Sequence, residues 1–176
     1  MLAFAAACGG GGSKGLTSDA AGNQTPVLAG TPRPTAVGDT SGVSSIETTL
    51  SAGKVTAKVG ANAVVEVTAT GLTKPGLGAW TFDLSYDPGI VSVASCKEGA
   101  NGLSVCNQKA SGTTVRVAGA AALGLLGDQT LLTVTFKCKA AGESPLILTI
   151  DTFADATRGA PKTVTPTLQD GSLTCS

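Results

Sequence analysis

Apolar and polar positions alternate along most of the chain after residue 45. The clearest instance is LGAWTFDLSYDPGIVSV, Leu77 to Val93, where Trp80, Phe82, Leu84 and Tyr86 alternate with Ala79, Thr81, Asp83 and Ser85. Successive side chains of a strand point to opposite faces, so this stretch predicts a half-buried strand with its large residues inward. Asp87-Pro88-Gly89 then predicts a turn: Pro fixes φ at the second position and Gly accepts positive φ at the third. The same pattern predicts strands over Ile46–Leu50, Val55–Val59, Ala63–Thr68, Leu77–Tyr86, Ile90–Ser95, Leu103–Gln108, Thr113–Gly119, Leu131–Cys138, Leu146–Thr152 and Val164–Cys175. Turn signals separate them, among them Gly60-Ala61-Asn62, Lys74-Pro75-Gly76, Ser111-Gly112 and Ala141-Gly142. Strands at this spacing, with no long amphipathic helix between them, predict an all-β domain of about nine strands, a β-sandwich or jelly roll. One helical turn is expected in GAAALGLLGDQ, Gly119 to Gln129. There is no internal repeat.

Trp80, Phe82 and Tyr86 are three of only six aromatic residues in the chain. The alternation turns them inward, toward Val91, Val115, Val117, Val134 and Phe136. That predicts a core rather than a platform for stacking on sugar.

The pattern fails before residue 45. Residues 9–44 are Gly, Ser, Thr, Pro and Ala with few large apolar side chains, a linker composition that cannot bury enough surface to offset its ordering entropy. It contains the N-glycosylation triplet Asn23-Gln24-Thr25. Residues 1–8, MLAFAAAC, resemble the end of a bacterial lipoprotein signal, with small residues before a cysteine and Ala5 where such signals usually carry Leu. The expectation is a lipid at Cys8; the rival is a shortened ordinary signal with an incidental cysteine. The domain plan is therefore a signal remnant (1–8), a linker (9–44) and a β-sandwich (45–176). Such a protein is exported, to the cell surface or the extracellular space.

Composition narrows the chemistry. Twelve basic and twelve acidic residues are scattered, and no basic cluster exists, so nucleic acid is not an expected partner. No run approaches the roughly 20 apolar residues of a membrane-spanning helix, which leaves Cys8 as the expected route to a membrane. The chain has no histidine, and so lacks the commonest general base and metal ligand at neutral pH. Asp83, Asp87, Asp128, Asp151 and Asp155 are the carboxylates that a glycosidase reading would need. Asp87 and Asp128 sit in turn-like settings and Asp83 faces outward on a strand, so no enzyme and no cofactor is expected.

Apart from Cys8 there are four cysteines: Cys96, Cys106, Cys138 and Cys175. An even number in an exported chain suggests two disulfides, with three pairings open. The loop KEGANGLSV is short enough for Cys96 and Cys106 to meet, which leaves Cys138 with Cys175. No C-x-x-C spacing supports a metal site.

VTAKVGANAVVEVTATGLTKPGLGAWTFDLSYDPGIVSV, Val55 to Val93, resembles the early part of a cohesin domain, where a valine-rich strand leads to an alternating strand ending in Tyr-Asp-Pro. LLTVTFKCKAAGESPLILTI, TFADAT and DGSLTC resemble the family's later strands and the loop between them, so the likeness spans about Ser45 to Ser176. The resemblance implies a nine-stranded jelly roll, related in fold to some cellulose-binding modules. It implies binding of dockerins, often Ca²⁺-loaded, that carry polysaccharide-degrading enzymes. It also implies that the partner lies on the sheet of the family's strands 8, 3, 6 and 5. On that sheet the outward residues here are Ala79, Thr81, Asp83 and Ser85, joined by Thr114 and Arg116. Type I cohesins place Asn and Asp at the positions of Ala79 and Thr81, so this chain departs from them there.

The leading expectation is thus a non-catalytic module attaching to a dockerin-like or other surface protein, with Thr81, Asp83, Ser85, Thr114 and Arg116 as the recognition surface. The same fold allows a carbohydrate-binding module with a polysaccharide as partner. It also allows a structural surface or filament protein, assembling by strand addition with Val27-Leu28-Ala29 as donor. An Asp83–Arg116 cross-strand pair is expected on structural grounds alone.

Overall fold

The computed structural model describes residues 42–99 and 102–176. Cys8, the linker up to residue 41, Asn23-Gln24-Thr25 and Val27-Leu28-Ala29 lie outside the described residues. Within them the chain forms nine strands and no helix: β1 (Thr49–Ala52), β2 (Lys54–Ala57), β3 (Asn62–Ser85), β4 (Val91–Glu98), β5 (Leu103–Ser111), β6 (Thr114–Cys138), β7 (Gly142–Asp155), β8 (Thr167–Gln169) and β9 (Gly171–Cys175).

Two strands are much longer than alternation suggested. The expected segments Ala63–Thr68 and Leu77–Tyr86 are two halves of the 24-residue β3. Thr113–Gly119 and Leu131–Cys138 are likewise two halves of the 25-residue β6. The turn at Lys74-Pro75-Gly76 and the helical turn in Gly119–Gln129 are not formed; both stretches are bends within strands. The reason is mutual. β3 and β6 pair antiparallel from Asn62↔Lys137 to Ser85↔Thr114, with register shifts gathered between Val67 and Ala79. A helical turn in one strand would strip the facing backbone of its ladder partners. Gly124 makes the bend feasible: its φ is +75°, and a Cβ there would stand 2.3 Å from the Pro75 carbonyl oxygen.

Each long strand serves two layers. In the first, β7 pairs with the C-terminal half of β3, that half with the start of β6, and β6 with β5. In the second, β4 pairs with the end of β6, β6 with the start of β3, and β3 with β1, which β8 joins in parallel. β2 and β9 run parallel, and β9 pairs with the first residues of β7. The expected last segment, Val164–Cys175, divides at Asp170, whose carboxylate accepts the Leu148 N–H at 2.9 Å. That bond satisfies β7 where it passes from β9 to β3. Val43 and Ser44, assigned to the linker by composition, pair with Thr163.

The inward faces share one core. Trp80, Phe82 and Leu84 are buried with Val91, Val115, Val117, Val134 and Phe136, as the alternation predicts. Tyr86 differs: it is half-buried, edge-on to Phe136 at 5.4 Å, and its hydroxyl donates to the Gly112 carbonyl at 3.2 Å. The phenol needs a polar partner, and the end of the strand supplies one. Disulfides close the sandwich at two places. Cys96–Cys106 joins β4 of one layer to β5 of the other, and Cys138–Cys175 joins the ends of β6 and β9. This is the pairing that the short Cys96–Cys106 loop favours.

Candidate binding face

The outward side of β7, β3, β6 and β5 is a surface built by cross-strand register. Paired residues of antiparallel strands share a face. One row runs Asn107–Arg116–Asp83–Thr149 across β5, β6, β3 and β7. A second runs Val105–Ala118–Thr81–Thr152, and a third Leu103–Ala120–Ala79–Ala154. At the other end Thr114, Ser85 and Ile147 form a short row. All five residues singled out from sequence, Thr81, Asp83, Ser85, Thr114 and Arg116, therefore lie on one surface.

Asp83 and Arg116 form a bidentate pair. Arg116 Nε donates to Asp83 Oδ1 at 2.8 Å and Nη2 to Oδ2 at 2.9 Å. The hydrogen bond to Asp83 and then its charge raise the Arg116 pKa above its ordinary value; desolvation opposes this, and Asp151 adds to the rise. The pair is exposed, so its worth to stability is small, but both forks are satisfied within the sheet. Ser85 and Thr114 hydroxyls lie 3.5 Å apart. Asp151 is the extra residue of a bulge, since Ile150 pairs with Phe82 and Thr152 with Thr81. It is exposed, close enough to Arg116 to act on its charge.

Three large apolar side chains on this face were not among the candidates drawn from sequence. Leu103 is 85% exposed, Val105 68% and Ile147 47%. A signal for the first two was available. Cys106 must turn toward Cys96, so its strand parity sends Leu103 and Val105 the other way. The expected small, polar surface is therefore polar along its centre and aliphatic along the β5 edge.

Three further aspartates hold structural hydrogen bonds. Asp87 accepts the Gly89 N–H at 2.7 Å, and Asp128 that of Gly71 at 3.1 Å. Asp155 is buried and accepts the N–H groups of Lys162 at 2.9 Å and Thr157 at 3.1 Å. Burial pushes its pKa up, but these amides with the Ser44 and Thr157 hydroxyls outweigh burial and hold it below 3.8. Among the described residues no three carboxylate or thiol groups converge where a metal ion could be held.

A two-layer β-sandwich with one largely uncharged sheet, and with Asp83, Asp87, Asp128 and Asp155 in structural hydrogen bonds, is an architecture suited to binding. The family model of the cohesin domain matches residues 48–174, and this chain belongs to the cohesin family. Solved cohesin structures share the fold. The seventh type I cohesin of a Pseudobacteroides cellulosolvens scaffoldin is 21% identical with a TM-score of 0.64, covering 73% of this chain and 92% of that one. A non-cellulosomal cohesin from the archaeon Archaeoglobus fulgidus is 24% identical with a TM-score of 0.63, covering 74% and 91%. A type I cohesin–dockerin complex from Clostridium thermocellum is 19% identical with a TM-score of 0.63, covering 74% and 99%. No curated protein matches. Two disulfides fit an oxidising, extracellular setting.

Proposed function

We propose that this protein is a non-enzymatic attachment module that captures a dockerin-type protein on the outward face of β7, β3, β6 and β5. The observation that carries this reading is the continuous open face of that sheet in a chain of the cohesin family. Similar cohesins have been solved in complex with dockerins, including one from Acetivibrio cellulolyticus. By the family resemblance the partner would carry a polysaccharide-degrading enzyme. A lipid on Cys8, followed by the linker to residue 44, would display the module at the cell surface.

Two features favour a protein over a polysaccharide as the direct partner. Trp80, the one tryptophan of the chain, is 2% exposed, so its ring is not offered to sugar. Four of the five aspartates that a glycosidase reading would need, Asp83, Asp87, Asp128 and Asp155, hold structural hydrogen bonds, which supports attachment over glycoside cleavage. Filament assembly by strand addition has no comparable support.

The test immobilises the whole 176-residue chain and offers it purified dockerin modules and, separately, insoluble cellulose. Retention of dockerin at micromolar concentration, without retention on cellulose, is the expected result. Retention on cellulose alone would replace this reading by the carbohydrate-binding one.

A further inference from the structure

We infer that the molecule carries a second binding site, a cleft between β4 and β5 that takes one neutral sugar residue. The cleft has a volume of about 400 Å³ and is lined by Tyr86, Ser92, Val93, Gln108, Ser111 and Gly112. None of the five candidate residues of the outward face is among them, so the site stands apart from the attachment reading. Its volume falls at the small end of ligand sites, roughly 300–1,000 Å³. Strand parity builds one wall. On β5, Cys106 lies opposite the buried Val117 and bonds Cys96, while Asn107 lies in the outward row with Arg116. Gln108 follows and returns to the side of Cys106. It is half-buried at a position where alternation calls for an apolar residue. Its side-chain amide has no hydrogen-bond partner among the described residues.

Tyr86 supplies the other half of the chemistry. Trp80, Phe82, Phe136 and Phe153 are buried, so Tyr86 is the one aromatic ring among the described residues that reaches solvent. Two contacts fix it: the ring stands edge-on to Phe136, and the hydroxyl is committed to the Gly112 carbonyl. A fixed ring offers apolar surface to the C–H face of a pyranose. An amide offers one acceptor and two donors, which match neighbouring hydroxyls that each donate and accept. No lining residue carries a charge, so an ionic ligand would shed its hydration without gaining a partner. A wholly apolar ligand would leave the Gln108 amide desolvated and unpaired. A neutral polyhydroxyl ring satisfies both groups. The volume admits a single residue or a chain end and not the flat surface of insoluble cellulose, so the expectation of no retention on cellulose stands.

The experiment titrates the whole chain, labelled with nitrogen-15, with the methyl glycosides of glucose, galactose and xylose, and with methyl glucuronide as the charged control. Amide spectra report both the site and the fold. At least one neutral glycoside should shift the Gln108 side-chain amide and the backbone amides of Tyr86 and Ser111. The shifts should saturate with a Kd of about 1–10 mM, the scale of one stacked ring and a few hydrogen bonds. Gln108→Ala, at a half-buried position that makes no bond, should keep the fold and weaken binding at least tenfold. Asp83→Asn/Arg116→Gln, on the outward face, should bind the sugar within twofold of wild type. Dockerin retention by Gln108→Ala should equal that of wild type, so that failure of this site and failure of the attachment reading are separate results. Absence of saturable shifts with all three neutral glycosides would overturn the inference. So would glucuronide binding as tightly as the neutral sugars, or Gln108→Ala binding within twofold of wild type. Shifts centred on Thr81 and Thr114 would place the sugar on the outward face and overturn it as well.

Discussion

Trp80 shows what a single residue contributes and how far sequence discloses it. Its inward direction was legible, because alternation with Ala79 and Thr81 leaves one face for the ring. Its seat was not. The indole lies over Gly119, its register partner on β6, and a Cβ there would stand 2.3 Å from the ring. Nothing in the sequence shows that a glycine 39 positions away makes room for it. The indole Nε1 is buried without a hydrogen-bond partner. Trp80→Ala should therefore cost about 3–5 kcal/mol in urea unfolding, as for other large aromatic truncations. Trp80→Phe should cost less, since it also removes an unpaired buried donor. Equal losses would show that the nitrogen is satisfied in solution. Asp155 yields a second residue-scale expectation. Its folded pKa lies below the ordinary 3.8, so its contribution to stability is present above that pH and is lost as pH falls through the lower folded value. The stability gap between wild type and Asp155→Asn should be constant from pH 7 to 5 and shrink below pH 4. A gap that widens as pH falls would contradict the assignment of the amides of Lys162 and Thr157 as the cause.

At the scale of elements, sequence reported strands well and their continuity poorly. Alternation located Ala63–Thr68 and Leu77–Tyr86, but Gly and Pro between them read as a turn. In the fold the intervening residues stay extended through the bend, with Leu72 and Leu77 keeping partners on β6 across a run of register shifts. Short local windows see the bend and not the distant partner that keeps it extended. The face was legible on β3 and β6, where charge and hydroxyls signal exposure. It was missed on β5, because Leu103 and Val105 look like core until the Cys106 side is known. The disulfides also differ in setting. Cys138 and Cys175 are buried, whereas Cys96 and Cys106 are half-exposed and tie down β5, whose one ladder is with β6. By the loop-entropy estimate they contribute about 4 and about 3 kcal/mol. Millimolar dithiol under native conditions should open Cys96–Cys106 first, read by alkylation and mass. Amide exchange should then rise in β5 while β9 stays protected. Simultaneous opening of both bonds would show that burial does not separate them.

At the scale of the molecule, β3 and β6 make the two layers one structure. Each strand gives its first half to one layer and its second half to the other, and they cross together at the bend around Pro75 and Gly124. Two sheets connected only by loops could loosen separately. Two sheets that share both central strands cannot, because fraying one breaks the ladder that ends in the other. The described domain should therefore unfold in a single cooperative step, and the most sensitive place to perturb it is the bend. Gly124→Ala places a Cβ 2.3 Å from the Pro75 carbonyl and 3.0 Å from Gly76 Cα, at a φ of +75° that alanine resists. Overpacking of this kind costs about 1–3 kcal/mol. The position touches neither the candidate face nor a disulfide. The measurement is amide hydrogen exchange near the unfolding limit on wild type and Gly124→Ala. Val117 and Phe82 report the first layer; Val65 and Val134 report the second. All four amides should lose the same protection free energy in the variant. If only Val117 and Phe82 lost protection, the layers would be separate folding units, and β3 and β6 would connect them without coupling them.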